Sequence, residues 1–240
     1  MIQSITVVTC TMNSQDTLDR CIDSVTNQIA VAAEHLIIDG GSSDNTIAIA
    51  KSRDLRYLSE PDDGIYDAFN KGIRNASGDA IMFLGSDDVF AHNKVLTEAV
   101  SALEEDGSDL VHAQMRLIRN EKAQLVGRPV SSQAELLKRM TIAHPTLCAR
   151  RQVFEQFGDF DTSYRIAADY DFCLRIWDKV SISFRPTVWI EMAHGGISTS
   201  RPSLSLKEAR RTQICHGRPP WVATAGMLEA RLRFFLRHHY

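Results

Sequence analysis

The chain has 240 residues, of which 44% are hydrophobic and 24% charged, and its formal net charge is −3. This composition excludes a disordered chain, a collagen-like repeat, a coiled coil and a disulfide scaffold, and the length fits one large domain or two small ones. The weak negative charge argues against a general nucleic-acid binder, which would carry an excess of basic side chains.

The charge is unevenly distributed along the chain. Residues 201–240 contain eight Lys or Arg and two Glu, whereas residues 1–200 contain 19 basic and 28 acidic side chains. The local charges are therefore +6 and −9. A separate role is therefore needed to explain the basic tail that follows the acidic body.

The cysteines indicate a reducing compartment. They are odd in number, and no pair has CxxC spacing: Cys10, Cys21, Cys148, Cys173 and Cys215. Because Cys10, Cys21 and Cys173 lie within apolar periodic segments, we expect buried free thiols. No apolar run approaches the roughly 18 residues that a membrane span needs, and no basic segment precedes the N-terminal apolar stretch. The sequence therefore predicts a cytoplasmic protein.

The first half of the chain alternates between two kinds of pattern. Short apolar or β-branched runs predict strands at Ile5–Cys10, His35–Ile38, Arg56–Ser59 and Ala80–Leu84. Helical spacing of apolar residues predicts helices from Leu18 to Ile29, over Thr46–Ser52, from Ile65 to Ala76 and from Val95 to Leu103. This alternation favours an α/β fold with a mostly parallel sheet covered on both faces.

Beyond residue 108 the alternation weakens. Strands are predicted at Leu110–Ala113, Met115–Ile118, Ile182–Phe184 and Val188–Met192, and helices at Leu136–Met140, Arg151–Phe157 and Asp169–Trp177. In the tail, prolines at 202, 219 and 220 interrupt the segment. After them, aromatic and apolar residues mix with arginines, which predicts a basic helix.

Four polar clusters follow the predicted strand ends: Thr9–Asn13, Asp39–Asp44, Glu60–Asp63 and Ser86–Asp88. In open α/β sheets the carboxyl ends of parallel strands and the loops after them form the ligand-binding crevice. We therefore expect the four clusters to converge on one site.

The adjacent carboxylates of Asp87 and Asp88 are candidates for metal binding. Mg²⁺ and Mn²⁺ prefer oxygen ligands and can bridge to a diphosphate. Taken alone, the pair also fits a helix N-cap, where an Asp accepts hydrogen bonds from unpaired N–H groups. Its place beside the other clusters favours the metal.

Two further strings carry possible chemistry. Gly40 and Gly41 let the backbone approach a ligand closely, although the same string fits a simple tight turn. Asp169 begins a predicted helix, where a carboxylate serves as a general base or as a cap. Among the histidines, His194, which precedes two glycines, is a better ligand candidate than His144.

Together these strings resemble those of family 2 glycosyltransferases of the GT-A fold, especially bacterial enzymes of capsule, exopolysaccharide and lipopolysaccharide assembly. The matching strings are Ser4–Asn13 (SITVVTCTMN), Leu36–Thr46 (LIIDGGSSDNT), Ser59–Ile73 (SEPDDGIYDAFNKGI), Phe83–Asp88 (FLGSDD) and Ala167–Ile176 (AADYDFCLRI). They occur in the family's order within about five sixths of the chain.

The resemblance implies a Rossmann-like α/β fold with a mostly parallel mixed sheet flanked by helices and a C-terminal helical tail. Residues 1–200 would form the transferase domain, in which 1–107 hold the nucleotide sugar and 108–200 the acceptor. Residues 201–240 would form a basic amphipathic tail. The implied reaction is inverting transfer of a sugar from a nucleotide-diphospho-sugar to a hydroxyl of a glycan or lipid-linked acceptor, with Mn²⁺ or Mg²⁺ as cofactor.

The resemblance also implies roles for individual residues. Asp169 matches the general base. The donor-binding positions are Thr9, Asn13, Asp39, Asp62, Lys71, Ser86 and Asp87. The metal-binding positions are Asp87, Asp88 and His194.

Three positions depart from the family pattern. Gly85 replaces the first Asp of the DxD motif, which leaves fewer carboxylates for a metal. Gly40 replaces an Asp that reads the base in many relatives, so the donor base stays open. Ala168 replaces a frequent Glu beside the general base.

Two other functions are weighed against glycosyl transfer. A sugar-1-phosphate nucleotidyltransferase normally carries a glycine-rich basic loop after its first strand, but residues 10–14 contain neither glycine nor a basic residue. A non-catalytic nucleotide-sugar-binding protein would be compatible with Gly85. For the tail, an anionic membrane surface, docking on the body and a homodimer contact all remain open.

Overall fold

A computed structural model describes residues 1–29, 32–119, 122–193 and 200–239. The strands of this described part form one nine-stranded sheet with helices on both faces. Within the same ranges, none of the helices combines the length and the apolar character that crossing a membrane requires.

The first half confirms the predicted alternation. Its elements are β1 (Ser4–Thr11), α1 (Leu18–Thr26), β2 (Ala32–Asp39), α2 (Thr46–Ser52), β3 (Arg56–Ser59), α3 (Ile65–Asn75) and β4 (Ala80–Phe83). The helix predicted from Leu18 to Ile29 ends earlier, because Asn27 takes the C-cap position. The N–H of Ile29 donates instead to the carbonyl of Asn93, and its side chain is exposed.

The second half contains longer strands than the sequence predicts. Its elements are β5 (Val89–Phe90), α4 (Val95–Glu105), β6 (Leu110–Arg119), β7 (Lys122–Val126), α5 (Gln133–Lys138), a 3-10 turn (His144–Thr146), β8 (Cys148–Arg150), α6 (Arg151–Phe157), α7 (Ala168–Ile176) and β9 (Ile182–Ala193). The pairs of short strands predicted at 110–118 and 182–192 are thus single strands, β6 and β9. Their parallel pairing shifts register at Gln114, which pairs with Val188, so that Pro186 is skipped and its missing N–H is accommodated at that irregularity.

The strand order places the predicted clusters at one edge of the sheet. The order is β3-β2-β1-β4-β8-β6-β9-β5, with β7 beside β6. Strands β1 to β4 are mutually parallel, and the remaining strands form a mixed extension. Thr11, Asp39 and Ser59, the last residues of β1, β2 and β3, lie directly opposite one another.

The cysteines follow the sequence prediction. Cys10, Cys21, Cys148 and Cys173 are buried free thiols, whereas Cys215 is exposed. Burial raises the pKa of Cys21 and of Cys148 to about 12, so both stay protonated at neutral pH.

The tail forms two helices, α8 (Pro202–Cys215) and α9 (Pro220–His239). Two of the prolines expected to interrupt the tail instead begin these helices, since the first helical position needs no N–H donor. Helix α8 docks on the body: Gln213 is buried, and Arg218, just after the helix, donates to the carbonyl of Leu137 at 3.0 Å. Of the alternatives for the tail, helix α8 therefore takes the one in which it docks on the body of the same chain.

Glu34 joins the amino-terminal parts of three strands and the loop before β4. Its carboxylate accepts hydrogen bonds from Thr6 Oγ1 (2.6 Å), Ser77 Oγ (2.8 Å) and Arg56 Nη1 (2.6 Å). Burial alone would raise the pKa of Glu34, but the hydrogen bonds from Thr6, Ser77 and Arg56 outweigh it and lower that pKa to about 2.

Glu34→Gln will therefore lower the free energy of unfolding above about pH 5, and the difference from wild type will shrink as the pH falls from about 4.5 towards 2. In that window the wild-type carboxylate takes up its proton and loses its advantage. Urea titrations between pH 3 and pH 7 measure the effect, with the exposed Glu155→Gln as a control. A pH-independent difference would contradict the assignment.

Candidate active site

The crevice is organised around the carboxylate of Asp39, which is 1% exposed. Oδ1 accepts hydrogen bonds from Thr11 Oγ1 (3.0 Å) and Ser42 Oγ (2.5 Å). Oδ2 accepts from Ser59 Oγ (2.7 Å) and from the N–H groups of Gly41 (3.1 Å) and Ser42 (3.0 Å). One side chain thus joins the ends of β1, β2 and β3 and folds the loop after β2.

These contacts give Asp39 a structural role. Burial tends to raise its pKa, but the hydrogen bonds from Ser42, Ser59 and Thr11 lower it, so the group is a stable carboxylate. With five donors on its two oxygens, Asp39 holds the strand ends and the loop after β2 in place. Its direct contact with the donor stays a prediction.

Thr9, which is predicted to bind the donor, lies beneath helix α1. It is fully buried, and its Oγ1 lies 2.9 Å from His35 Nε2 and 3.8 Å from Cys21 Sγ. Helix α1 covers this part of β1, so the side chain cannot line the crevice. The residue missed is Thr11, and its position directly after the predicted strand, within the cluster Thr9–Asn13, was the available signal.

Asn13 and Ser86 connect the loops. Asn13 has a φ of 52°, a left-handed conformation that Asn tolerates, and its Oδ1 accepts the N–H of Ser43 at 2.9 Å. Ser86 Oγ lies 2.9 Å from Ser14 Oγ. These bonds confirm that the loops after β1, β2 and β4 converge.

Asp62 fills the space above Gly40. A Cβ built on Gly40 would collide with Asp62 Oδ2, while Asp62 Oδ1 accepts the N–H of Gly64 at 2.8 Å. The carboxylate from the loop after β3 thus lies where a side chain at position 40 would project. A larger residue at position 40 would displace the Asp62 carboxylate from this place.

Lys71 contacts the loop after β3. Its Nζ donates to the carbonyl oxygen of Pro61 at 2.7 Å and lies 3.1 Å from Glu60 and 3.4 Å from Asp67. An ammonium group has three donors, and these three oxygens can engage all of them. In this conformation Lys71 fixes the loop that carries Asp62, and its contact with the donor stays a prediction.

Asp87 and Asp88 turn towards Gly85. A Cβ built on Gly85 would lie 2.6 Å from Asp88 Oδ2 and 3.1 Å from Asp87 Oδ1. The two carboxylates thus occupy the space that a first Asp at position 85 would need. Asp88 is buried, whereas Asp87 is half-buried.

This arrangement fits a cation that is shared with a ligand. Within the described ranges, no group of three or more His, Cys, Asp or Glu could enclose a metal by itself. Two carboxylates suit Mg²⁺ or Mn²⁺ when substrate phosphates and water complete the shell. His194, the third predicted ligand, lies outside the described residues.

Asp169 is the second residue of α7 and is half-buried. Its Oδ1 lies 3.0 Å from Tyr66 Oη and accepts the N–H of Tyr170 at 2.8 Å. Burial and the charge of Asp169 raise the pKa of Tyr66, so the phenol keeps its proton. Tyr66 Oη also lies 2.6 Å from the carbonyl oxygen of Ile166, which precedes the helix.

His144, which the sequence indicates less strongly as a ligand than His194, packs against aromatic rings. Its ring stacks on Phe69 and Phe83, with centroids 5.4 and 5.7 Å away. Its Nε2 is buried and has no hydrogen-bond partner among the described residues. Burial lowers the pKa of His144, against the opposing charge of Asp169. A neutral imidazole therefore lies between the end of β4 and Asp169.

Residues 6–158 match the family model described as "Glycosyl transferase family 2". The chain belongs to glycosyltransferase family 2. This family-2 chain is 33% identical over 229 residues to an uncharacterized glycosyltransferase of Mycobacterium tuberculosis strain H37Rv, covering 91% of this chain and 86% of that protein. It is 30% identical over 186 residues to a PGL/p-HBAD biosynthesis glycosyltransferase of Mycobacterium bovis strain BCG, covering 75% and 72% of the two chains.

Solved structures share its fold. Residues 1–349 of S. aureus TarS in complex with UDP-GlcNAc match with a TM-score of 0.70 and 17% identity, over 94% of this chain and 71% of that chain. The mannosyltransferase PcManGT from Pyrobaculum calidifontis, in complex with GDP-Man and Mn²⁺, matches with a TM-score of 0.69 and 18% identity, over 94% and 70%. This chain covers 39% of a longer TarS chain. The family-2 enzyme therefore has the expected GT-A α/β fold.

Asp39→Asn will destabilise the glycosyltransferase by about 2–3 kcal/mol, because an amide group would face N–H and O–H donors where the carboxylate now accepts them. Urea unfolding at pH 7 measures the loss. The exposed Asp54→Asn is the control, since Asn also tolerates the φ of 52° at that position. Equal stabilities of the two variants would contradict the organising role of Asp39.

Proposed function

We propose that this glycosyltransferase transfers a sugar, with inversion, from a nucleotide-diphospho-sugar to a hydroxyl of a glycan or lipid-linked acceptor in bacterial surface polysaccharide biosynthesis. The observation that carries the proposal is the pair of carboxylates, Asp87 and Asp88, turned towards Gly85 beside the loops of the parallel strands. Membership of family 2 supports transfer over nucleotidyl transfer or simple binding.

For the donor, the crevice offers the loops after β1, β2, β3 and β4. Structural neighbours are described in complex with UDP-GlcNAc and with GDP-Man, so the fold accommodates more than one base. We assign Asp62 and Asn13 to the rim that meets the nucleotide, and Ser86 and Asp87 to the diphosphate side. We assign Asp39, Thr11 and Lys71 to holding the loops of the crevice in place.

For the metal, Asp87 and Asp88 would hold a divalent cation, Mn²⁺ or Mg²⁺, and His194 stays a predicted additional ligand. When bound, the cation would neutralise charge on the leaving diphosphate. The description of the Pyrobaculum enzyme with Mn²⁺ supports this cofactor.

For the chemistry, Asp169 would remove the proton from the acceptor hydroxyl as that oxygen attacks C1 of the sugar. The carbon–oxygen bond to the diphosphate breaks on the opposite face, and one such displacement inverts the anomeric centre. Both hydrogen bonds described for Asp169 fall on Oδ1, so we assign Oδ2 to the acceptor proton. Tyr66 keeps that orientation.

Asp169→Asn will lower kcat by roughly 10²- to 10⁴-fold, the usual contribution of a general base, while donor binding is retained. The donor is first identified by binding assays with UDP-, GDP- and dTDP-sugars in Mn²⁺ or Mg²⁺, and transfer is then measured with that donor.

The matched control is Asp178→Asn, an exposed carboxylate just beyond the same helix. An unchanged kcat in Asp169→Asn would remove the base assignment. Parallel loss of donor binding would place Asp169 in the donor site instead. Absence of metal-dependent binding of any nucleotide sugar to wild type would overturn the proposed function.

For the tail, we propose that α9 contacts an anionic lipid surface. Exposed apolar residues follow one face at helical spacing: Trp221, Leu228, Leu232 and Leu236. The other face packs on α8, where Ala223 is buried and Thr224 Oγ1 accepts from Arg210 Nε at 2.8 Å. Residues 201–240 carry a net charge of +6, of which α9 contributes +2, and this charge complements anionic headgroups. Such a contact would bring the enzyme to a lipid-linked acceptor.

Leu228→Gln with Leu232→Gln will weaken co-sedimentation with anionic vesicles, because both side chains lose apolar area that the lipid would bury. A pair of Gln substitutions at exposed Ile118 and Leu125, on strands β6 and β7, serves as control. Equal sedimentation of the Leu variant and wild type would overturn the lipid contact. Loss of a dimer in the Leu variant, with no vesicle binding by wild type, would instead identify the face as a subunit interface.

A further inference from the structure

A buried carboxylate of the tail contacts the segment that leads into the helix of the proposed base. Glu208, on α8, is 8% exposed. Its Oε1 accepts the N–H of Arg165 at 3.0 Å, and its Oε2 accepts those of Ile166 at 2.8 Å and Ala167 at 3.1 Å. Three successive backbone N–H groups directly before α7 therefore donate to one carboxylate that lies more than 40 residues further along the chain.

The start of α7 has no cap of its own. The N-cap residue is Ala167, and no side chain caps the helix from that position. Buried N–H groups without partners are costly, and a negative charge is favourable near a helix amino terminus. Glu208 supplies both the acceptor oxygens and the charge.

The same segment is held from the opposite side by α3. Ile166 donates its N–H to Glu208 and has its carbonyl oxygen 2.6 Å from Tyr66 Oη. Tyr66 Oη also lies 3.0 Å from Asp169 Oδ1. A displacement of the backbone at Ile166 would therefore be transmitted to Asp169 through both the start of the helix and Tyr66.

We propose that Glu208 is a positioning residue for Asp169, so that the docked tail helix forms part of the catalytic apparatus. This inference rests on the proposed function of Asp169 as general base. Glu208 would affect the rate through the position of Asp169, because a misplacement of about 1 Å at a reacting group can lower the rate roughly 10²-fold.

Other contacts keep α8 docked when Glu208 changes. His216 Nε2 lies 2.9 Å from Asp171 Oδ1, and the Arg211 guanidinium lies 4.3 Å from the ring centroid of Tyr164. Glu208→Gln retains one acceptor oxygen, but its amide N–H₂ would face a backbone N–H. The variant therefore tests the carboxylate without removing the helix.

Glu208→Gln will lower kcat by about 10- to 100-fold and leave the donor dissociation constant unchanged. Glu208→Asp, which keeps the charge, will recover part of the loss. Glu229→Gln, an exposed carboxylate of α9, is the matched control and will match wild type. Assays are run well below the thermal midpoint of each variant, with folding checked by circular dichroism.

A double-mutant cycle separates this inference from the proposed function. If Glu208 acts through Asp169, adding Glu208→Gln to Asp169→Asn will cause no further loss of kcat. An unchanged kcat in folded Glu208→Gln would overturn the positioning role, whatever Asp169→Asn does. A rate loss in Glu208→Gln while Asp169→Asn is silent would overturn it too, and would separately remove the base. Equal loss of donor binding and rate would indicate a general structural role.

Discussion

The carboxylate of Asp39 is the contact on which the crevice depends. The last residues of β1, β2 and β3 are in register, and two of them, Thr11 and Ser59, donate to the third. A buried charge is tolerated only when hydrogen bonds satisfy it, and here five donors do so. The loops that carry Asn13 and Asp62 begin from these fixed strand ends. Their positions therefore follow from one satisfied carboxylate as well as from the sheet.

Glycine at positions 40 and 85 has a common physical meaning. In each case a carboxylate from elsewhere in the loops lies where the missing side chain would project: Asp62 over Gly40, and Asp87 with Asp88 over Gly85. The space next to each glycine is therefore filled by a carboxylate of the crevice itself, Asp62 at position 40 and Asp87 with Asp88 at position 85.

The parallel half of the fold could be predicted from the sequence because its strands are short apolar runs with polar residues at their ends. The mixed half could not, since β8 has only three residues and Pro186 divides the pattern of β9 in two. Periodicity predicted the strand that carries Thr9 but not that α1 would cover its side chain. The contact of Glu208 with residues 165–167 had no local signal, because it is made only when the tail docks.

Burial of the thiols gives the docked tail a convenient chemical handle. Four of the five cysteines are enclosed by the core, and Cys215 is exposed at the last residue of α8, beside the His216 that contacts Asp171. A thiol reagent applied to the folded protein should thus modify one position, close to the junction between tail and body. A fluorophore or spin label placed there would report the docking of α8 directly, in a native sequence that needs no engineered cysteine.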